Sequence, residues 1–394
     1  MTSLTCKGYT FGGMAAGIKK NGERDLGLIL SDRPAGVAAV FTNNLVQAAP
    51  VLLDRQRVQS GMVRALIVNS GNANCATGRQ GMAAAKAMTA AAAQGLHVPE
   101  DQVLAASTGV IGVPMPMDRV EAAIPELVDG LHENGLPDLA RAIMTTDTRP
   151  KMGVSNGVAG GLPYRIIAVA KGAGMIRPDM ATMLCFICTD AGMDVSDLQN
   201  TLKRSVDVSF NQITIDGDTS TNDTVILMAN GASGARIQTD ADHRAFRHLL
   251  DQVCLDLARQ MVKDGEGVTK VVDLTVRGAL SDSDARAIVE AIAHSPLVKT
   301  AFFGQDANWG RIIAAAGRAG VFLEPDRLDL FFDQVQLVKD GTGCGLTAEK
   351  QATQALRQPE FSVALDLNLG KGSASMLTCD FSLEYVRINA DYRS

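Results

Sequence analysis

Apolar and polar positions form short blocks along this chain, and their period changes from block to block. Ala65-Leu66-Ile67-Val68 is an unbroken apolar run that opens into a polar, Gly- and Asn-rich stretch, NSGNANCATG at 69–78. The pattern predicts a buried strand leading into a loop. Gln80 to Leu96 is alanine-rich and predicts a helix. Arg165-Ile-Ile-Ala-Val-Ala predicts another strand, ending at Lys171. Over 272–277, Val272, Leu274 and Val276 face one way and Asp273, Thr275 and Arg277 the other, which is strand period. Ser281 and Asp284 then resemble a capping box. Ala285, Ile288, Val289 and Ile292 follow at helical spacing, so a helix starts near 282. A soft boundary close to 280 therefore divides a larger part, 1–280, from a smaller C-terminal α/β part, 281–394. No repeat of 20 to 50 residues is visible. Strands and helices alternate, and the class is α/β or α+β.

Composition narrows the chemistry. The 394 residues are 46% hydrophobic and 20% charged, an ordinary globular balance with room for more than one core. A net charge of −6 and an aromatic content of 4% disfavour nucleic acid and anionic membranes, which want a positive field or stacking rings. No apolar run approaches the ~18 residues of a membrane-spanning helix. The start, MTSLTCKGYTFGG, lacks a basic segment followed by an apolar one, so no secretory signal is expected. Seven cysteines scattered among apolar neighbours fit a reducing cytoplasm.

Several motifs have a dull explanation. Cys185-Phe-Ile-Cys188 has C-x-x-C spacing, but no second pair completes a zinc set and it sits inside an apolar strand. Two small core residues are expected there. His97, His132, His243, His248 and His294 form no H-x-x-x-H pair and read as surface or capping residues. Asp216 to Asp223 fails as a calcium loop, because its sixth and twelfth positions hold Thr221 and Leu227. It reads either as a polar turn between strands at 213–215 and 224–228 or as a hydroxyl- and amide-rich loop bracing a site. No G-x-x-x-x-G-K-[ST], strand-linked G-x-G-x-x-G or G-x-S-x-G is found, so neither a bound nucleotide nor a serine elbow is expected.

Two stretches suit an oxyanion or a polar ligand. In Leu104-Ala-Ala-Ser-Thr-Gly-Val-Ile-Gly112, small residues free the N–H groups around Thr108 and Gly109 to point at a ligand. Ile143-Met-Thr-Thr-Asp-Thr-Arg-Pro150 clusters three hydroxyls and a carboxylate, or simply runs a helix into a loop. The third stretch, KGAGMIRPDMATMLCFIC (171–188), leads through glycines and Pro178 to Thr182 at the mouth of an apolar run. A threonine hydroxyl needs a base, and no histidine offers one. Scission before Thr182 would supply it, because a freed α-amine has a pKa of ~7.7–8. A strained Ala181–Thr182 peptide can pass its acyl group from N to O and then hydrolyse. The competing explanation is that threonine favours strand starts.

KGAGMIRPDMATML with the following TDA (189–191) closely resembles the self-processing segment of the ornithine acetyltransferases, also called glutamate N-acetyltransferases. STGVIG (107–112), IMTTDTRPK (143–151), IDGDTSTND (215–223), KDGEG (263–267), SPLVKTAFFGQDANWGRI (295–312) and EYVRINADYRS (384–394) resemble the family's blocks in the family's order. The resemblance covers essentially the whole chain. It implies a layered α-β-β-α self-processing core with a smaller C-terminal domain, and cleavage between Ala181 and Thr182 into an α chain, 1–181, and a β chain, 182–394. Thr182 would be the nucleophile, and Thr108 and Gly109 the oxyanion hole. Substrate contacts would come from Thr145, Lys171, Thr182, Glu266, Asn389 and Ser394. Two departures are mild: Ser394 stands where threonine is commoner, and Arg177 where uncharged residues are common. The resemblance further implies acetyl transfer from N²-acetyl-L-ornithine to L-glutamate in arginine synthesis, small-molecule substrates, an α2β2 assembly, and no metal or organic cofactor. Acetyl-CoA serves as a second donor in bifunctional members, and no residue decides that matter. The rival expectations are a self-processing amidase of related architecture and a secondary-metabolism paralogue.

Overall fold

The structure, a computed structural model, describes residues 4–178 and 183–391. The expectations placed on Ala181, Thr182 and Ser394 lie outside the described residues. The strands are β1 (Tyr9–Met14), β2 (Leu26–Phe41), β3 (Met62–Asn72), β4 (Val103–Val110), β5 (Lys151–Ala159), β6 (Leu162–Lys171), β7 (Leu184–Thr189), β8 (Thr224–Ala229), β9 (Val271–Ala279), β10 (Asp329–Phe332), β11 (Val335–Lys339), β12 (Thr342–Gly343), β13 (Glu360–Asp366) and β14 (Gly372–Cys379). The helices are α1 (Ala49–Arg57), α2 (Gly78–Leu96), α3 (Met117–Asp129), α4 (Leu136–Ala142), α5 (Val195–Asp207), α6 (Asp240–Lys263), α7 (Asp282–Ala293), α8 (Pro296–Phe303), α9 (Trp309–Gly317), α10 (Leu346–Ala355) and α11 (Leu383–Asp391). Among the described residues no helix is long and apolar enough to cross a membrane.

Two compact units are present. Of the described residues, the first takes 4–178, 183–211 and 218–261, and the second takes 212–217 and 262–391. The division expected close to 280 falls inside the second unit, because β9 is held there between β13 and β14.

In the first unit one sheet runs β4-β3-β2-β8-β7-β6-β5, with β1 added on β2. The β3–β4 and β7–β8 pairs are parallel. The strands form because alternating residues find apolar partners on both faces. Val63, Leu66, Val68, Leu104 and Ala106 of one half join Ile167, Val169, Leu184, Phe186, Ile226 and Met228 of the other in a single buried cluster. The sheet thus shares one interior between its two halves. Ala65, Ile67, Val103 and Ala105 point the opposite way, onto Met88 and Ala92 of α2 and Val120 and Ile124 of α3. Gln199 of α5 exchanges hydrogen bonds with the Ala39 backbone of β2, and Gln260 of α6 donates to Met152 O of β5 at 3.3 Å. The layers are helix, strand, strand, helix.

The second unit holds the sheet β12-β11-β10-β13-β9-β14. The alternation over 272–277 is realised: Val272, Leu274 and Val276 are buried against Ile288, Val289 and Ile292 of α7 and Phe302 of α8. Ser281 Oγ accepts from the Asp284 N–H at 3.1 Å, which caps α7 where the sequence placed its start. The strand expected at 213–215 is a correction. Only an isolated bridge between Ile213 and Leu377 forms, since the polar residues after Ile215 give no further ladder.

Candidate active site

Lys171 ends β6 and is 4% exposed. Its Nζ donates to Thr108 Oγ1, near the end of β4, at 3.3 Å. Residues 63 apart in sequence meet because the two halves of the sheet share an interior. Thr108 and Gly109 lie within β4 rather than in the free loop expected from STG. The ladder continues because Ser70 pairs with Thr108 and Gly71 with Gly109, before the register shifts at Asn72. Gly109 has φ +129°, and a Cβ there would stand 2.4 Å from the Gly71 carbonyl carbon. Glycine is required at this point, both for the dihedral and for the backbone approach.

A buried carboxylate organises the surrounding segments. Asp147 Oδ1 accepts from Lys151 Nζ at 2.6 Å and from the Gly172 N–H at 2.8 Å. Its Oδ2 accepts from the Thr145 N–H at 3.0 Å. One side chain therefore ties the loop carrying Thr145 to the starts of β5 and of the segment after Lys171. Burial works to raise the Asp147 pKa, but the Lys171 and Lys151 charges and these hydrogen bonds win and hold it at about 2. Lys171 and Lys151 thus both act on this one carboxylate.

The turn before β8 reaches the same strands. Asn222 Nδ2 donates to Ser107 O at 2.8 Å and to Ala73 O at 2.6 Å. Asp223 Oδ1 accepts from the Met183 N–H at 3.0 Å. In the 215–223 stretch, residues 218–223 therefore brace structure rather than merely turn. Leu184 pairs in register with Lys171 and with Thr224, so the start of β7 is fixed on both sides.

In the second unit, Asn389 Nδ2 of α11 donates to Glu266 Oε2 at 2.8 Å. Glu266 is buried and Asn389 exposed. Gly267 next to it has φ +66°, and a Cβ there would lie 2.4 Å from Tyr385 N, so the KDGEG turn and the first residues of α11 pack backbone to backbone.

The remaining expectations are placed as follows. Cys185 and Cys188 are buried on β7, and burial pushes both thiols up. Three residues apart on a strand, they face opposite sides and cannot chelate together. His97 and His294 occupy the C-caps of α2 and α7. Among the described residues no group of three or more His, Cys, Asp or Glu is arranged for a metal. Of the proposed site residues, Thr108, Gly109, Lys171 and Thr145 gather in the first unit, and Glu266 and Asn389 pair in the second. Sequence reasoning counted Asp147 only as the carboxylate of a loop cluster and passed over Lys151, Asn222 and Asp223, although all four sit inside the quoted motifs. The one available signal was the i, i+4 spacing of Asp147 and Lys151 in a segment otherwise read as loop.

A model of the ArgJ family matches residues 10–394. The chain is 54% identical over 393 residues to the arginine biosynthesis bifunctional protein ArgJ of Geobacter sulfurreducens, covering 99% of this chain and 100% of that one. It is 50% identical to the protein of the same name from Syntrophotalea carbinolica, over 98% and 99% of the two chains. A crystal structure of the arginine biosynthesis bifunctional protein ArgJ of Bacillus halodurans aligns with a TM-score of 0.50 and 39% identity, over 52% of this chain and 98% of that one. This chain belongs to the ArgJ family of arginine-biosynthesis acetyltransferases.

Proposed function

We propose that the chain cuts itself between Ala181 and Thr182 and then carries acetyl groups on Thr182. In the cut, Thr182 Oγ attacks the Ala181 carbonyl, the C–N bond breaks with its nitrogen protonated, and water hydrolyses the ester. In turnover, Oγ attacks the acetyl carbonyl of N²-acetyl-L-ornithine. The hydroxyl proton passes to the Thr182 amine and on to the departing ornithine nitrogen. The L-glutamate amine then takes the acetyl group from the threonine ester, in ping-pong order. The observation that carries this reading is the placement of Lys171. It pairs with Leu184, two residues after Thr182, and its ammonium meets Thr108 beside Gly109. A buried positive group and backbone donors next to the start of β7 suit an oxyanion, and losing one such donor costs ~10²–10³ in rate.

Thr145, Lys171, Glu266, Asn389 and Ser394 are the substrate contacts that the family resemblance implies. Two copies of each chain, in the cytoplasm, and acetyl-CoA as an additional donor belong to the same proposal, with no metal or organic cofactor taking part.

Intact mass and Edman sequencing of the purified protein test it. The expected result is two chains, the second reading Thr-Met-Leu-Cys, and acetyl transfer from N-acetylornithine to glutamate. Thr182→Ala should stay whole and inactive. Transfer by that variant, or a single full-length active species, overturns the proposal. Cleavage with peptide hydrolysis and no transfer would favour the amidase.

A further inference from the structure

An N-terminal nucleophile has a mechanical weakness. Once the chain is cut before it, Thr182 is joined to the protein only through its peptide bond to Met183. Whatever holds Met183 then fixes the anchor of that one covalent link and so helps to aim the hydroxyl and the amine. That residue is 1% exposed and held twice: its carbonyl accepts from the Thr224 N–H at 3.1 Å, and its N–H donates to Asp223 Oδ1 at 3.0 Å. The second bond is unusual for a residue entering a strand, because a side-chain carboxyl takes the place of a neighbouring strand's carbonyl.

Asp223 is itself 1% exposed, and its backbone carbonyl accepts from the Thr42 N–H at 2.9 Å. Its other oxygen, Oδ2, is buried as well. Burial pushes the carboxyl well above the usual carboxylate range, and the Met183 N–H, the Ser220 and Thr42 side chains and the Lys171 charge offset this only in part. The residue before it, Asn222, grips Ser107 O, adjacent to Thr108, at 2.8 Å. Two consecutive side chains thus tie the strand bearing Thr108 and Gly109 to the first residue after Thr182.

We propose that Asp223 is the positioning residue for Thr182: by holding the Met183 amide it sets the nucleophile against the Thr108–Gly109 donors, in self-scission and in acetyl transfer alike. The proposal rests on the reading of Thr182 as the nucleophile. A misplacement of ~1 Å at a reacting centre costs ~10² in rate, which sets the scale of the effect.

The test compares Asp223→Asn, Asp223→Ala and Asp223→Leu in the full-length protein. Scission is followed by intact mass over time, kcat and KM are measured on processed material, and thermal midpoints are recorded. Asp223→Asn keeps an acceptor for the Met183 N–H and is expected within about threefold of wild type in both reactions. Asp223→Leu keeps the branched outline of the side chain, at a larger volume, and removes the acceptor. It and Asp223→Ala are expected to slow scission ~100-fold and to lower kcat similarly with KM within about threefold, while both still melt in a cooperative transition. Wild-type scission and kcat in the alanine or leucine variant overturn the proposal, as does an asparagine variant as slow as the alanine one. Failure of the underlying reading looks different: wild type itself would not yield a chain beginning at Thr182.

Discussion

Replacing Asp147 by asparagine probes the charge balance beneath Lys171. The Asp147 side chain has no exposure and Lys151 has 1%. The fall of the carboxyl from its ordinary 3.8 to about 2 corresponds to roughly 2 kcal/mol. The folded pKa lies below the unfolded one. This stabilisation is therefore complete above the unfolded value, at pH 5 and higher, and is lost as pH falls toward 2. At neutral pH, Asp147→Asn does more than forfeit it, because the buried Lys151 ammonium loses its 2.6 Å carboxylate contact. Breaking a buried pair costs ~3–5 kcal/mol, and removing both charges costs much less. The expected result at pH 7 is a loss of ~3–5 kcal/mol for Asp147→Asn and under ~2 kcal/mol for Asp147→Asn with Lys151→Met. Urea denaturation followed by circular dichroism measures both, in the Thr182→Ala background so that every sample is one chain. Repeated down to pH 2, wild type should lose roughly 2 kcal/mol relative to the double variant. A single variant as stable as wild type at pH 7, or a double variant as unstable as the single, refutes the reasoning.

Three further outcomes follow from the same geometry. Gly109→Ala places a Cβ 2.4 Å from backbone that cannot yield, and is expected to lower kcat by ~10² or more with little change in KM, read by steady-state transfer kinetics. Lys171→Met should lower kcat/KM by ~10- to 100-fold, the worth of a hydrogen bond to a charged group at ~1.5–3 kcal/mol, and should raise the pH at which Asp147 protonates, read as an earlier acid-induced loss of stability. Gly267→Ala drives a Cβ to 2.4 Å from Tyr385 N and should break the 2.8 Å Asn389–Glu266 bond, raising KM while leaving the rate of self-scission, followed by mass, unchanged.

Local signals in the sequence translated well. The alternation of β9, the cap of α7 and the alanine-rich α2 each depend on neighbours within a few residues, and each lies where its pattern placed it. What escaped depends on distant partners. β2 spans Leu26–Phe41 through exposed Asp32, Arg33 and Pro34, a polar interruption that hides one long strand, and only its pairing with β3 and β8 shows the continuity. The parallel pairing of β9 with β13 joins segments some 90 residues apart, for which no short-range pattern exists. The site repeats the lesson. Thr108, Gly109, Lys171 and Glu266 could be named because motifs carry them. Lys151 and Asp223 look like ordinary surface charges in the sequence, and only the folded sheet makes them buried.

The sheet of the first unit is woven from both sides of position 182. β8 lies between β2 and β7, and six residue pairs, from Ile166 with Thr189 to Lys171 with Leu184, join β6 to β7. A nick at that position severs the covalent thread and leaves this fabric stitched. The fragments would travel together through a sizing column and part only in denaturant, and once parted neither would retain the seam that the other had supplied.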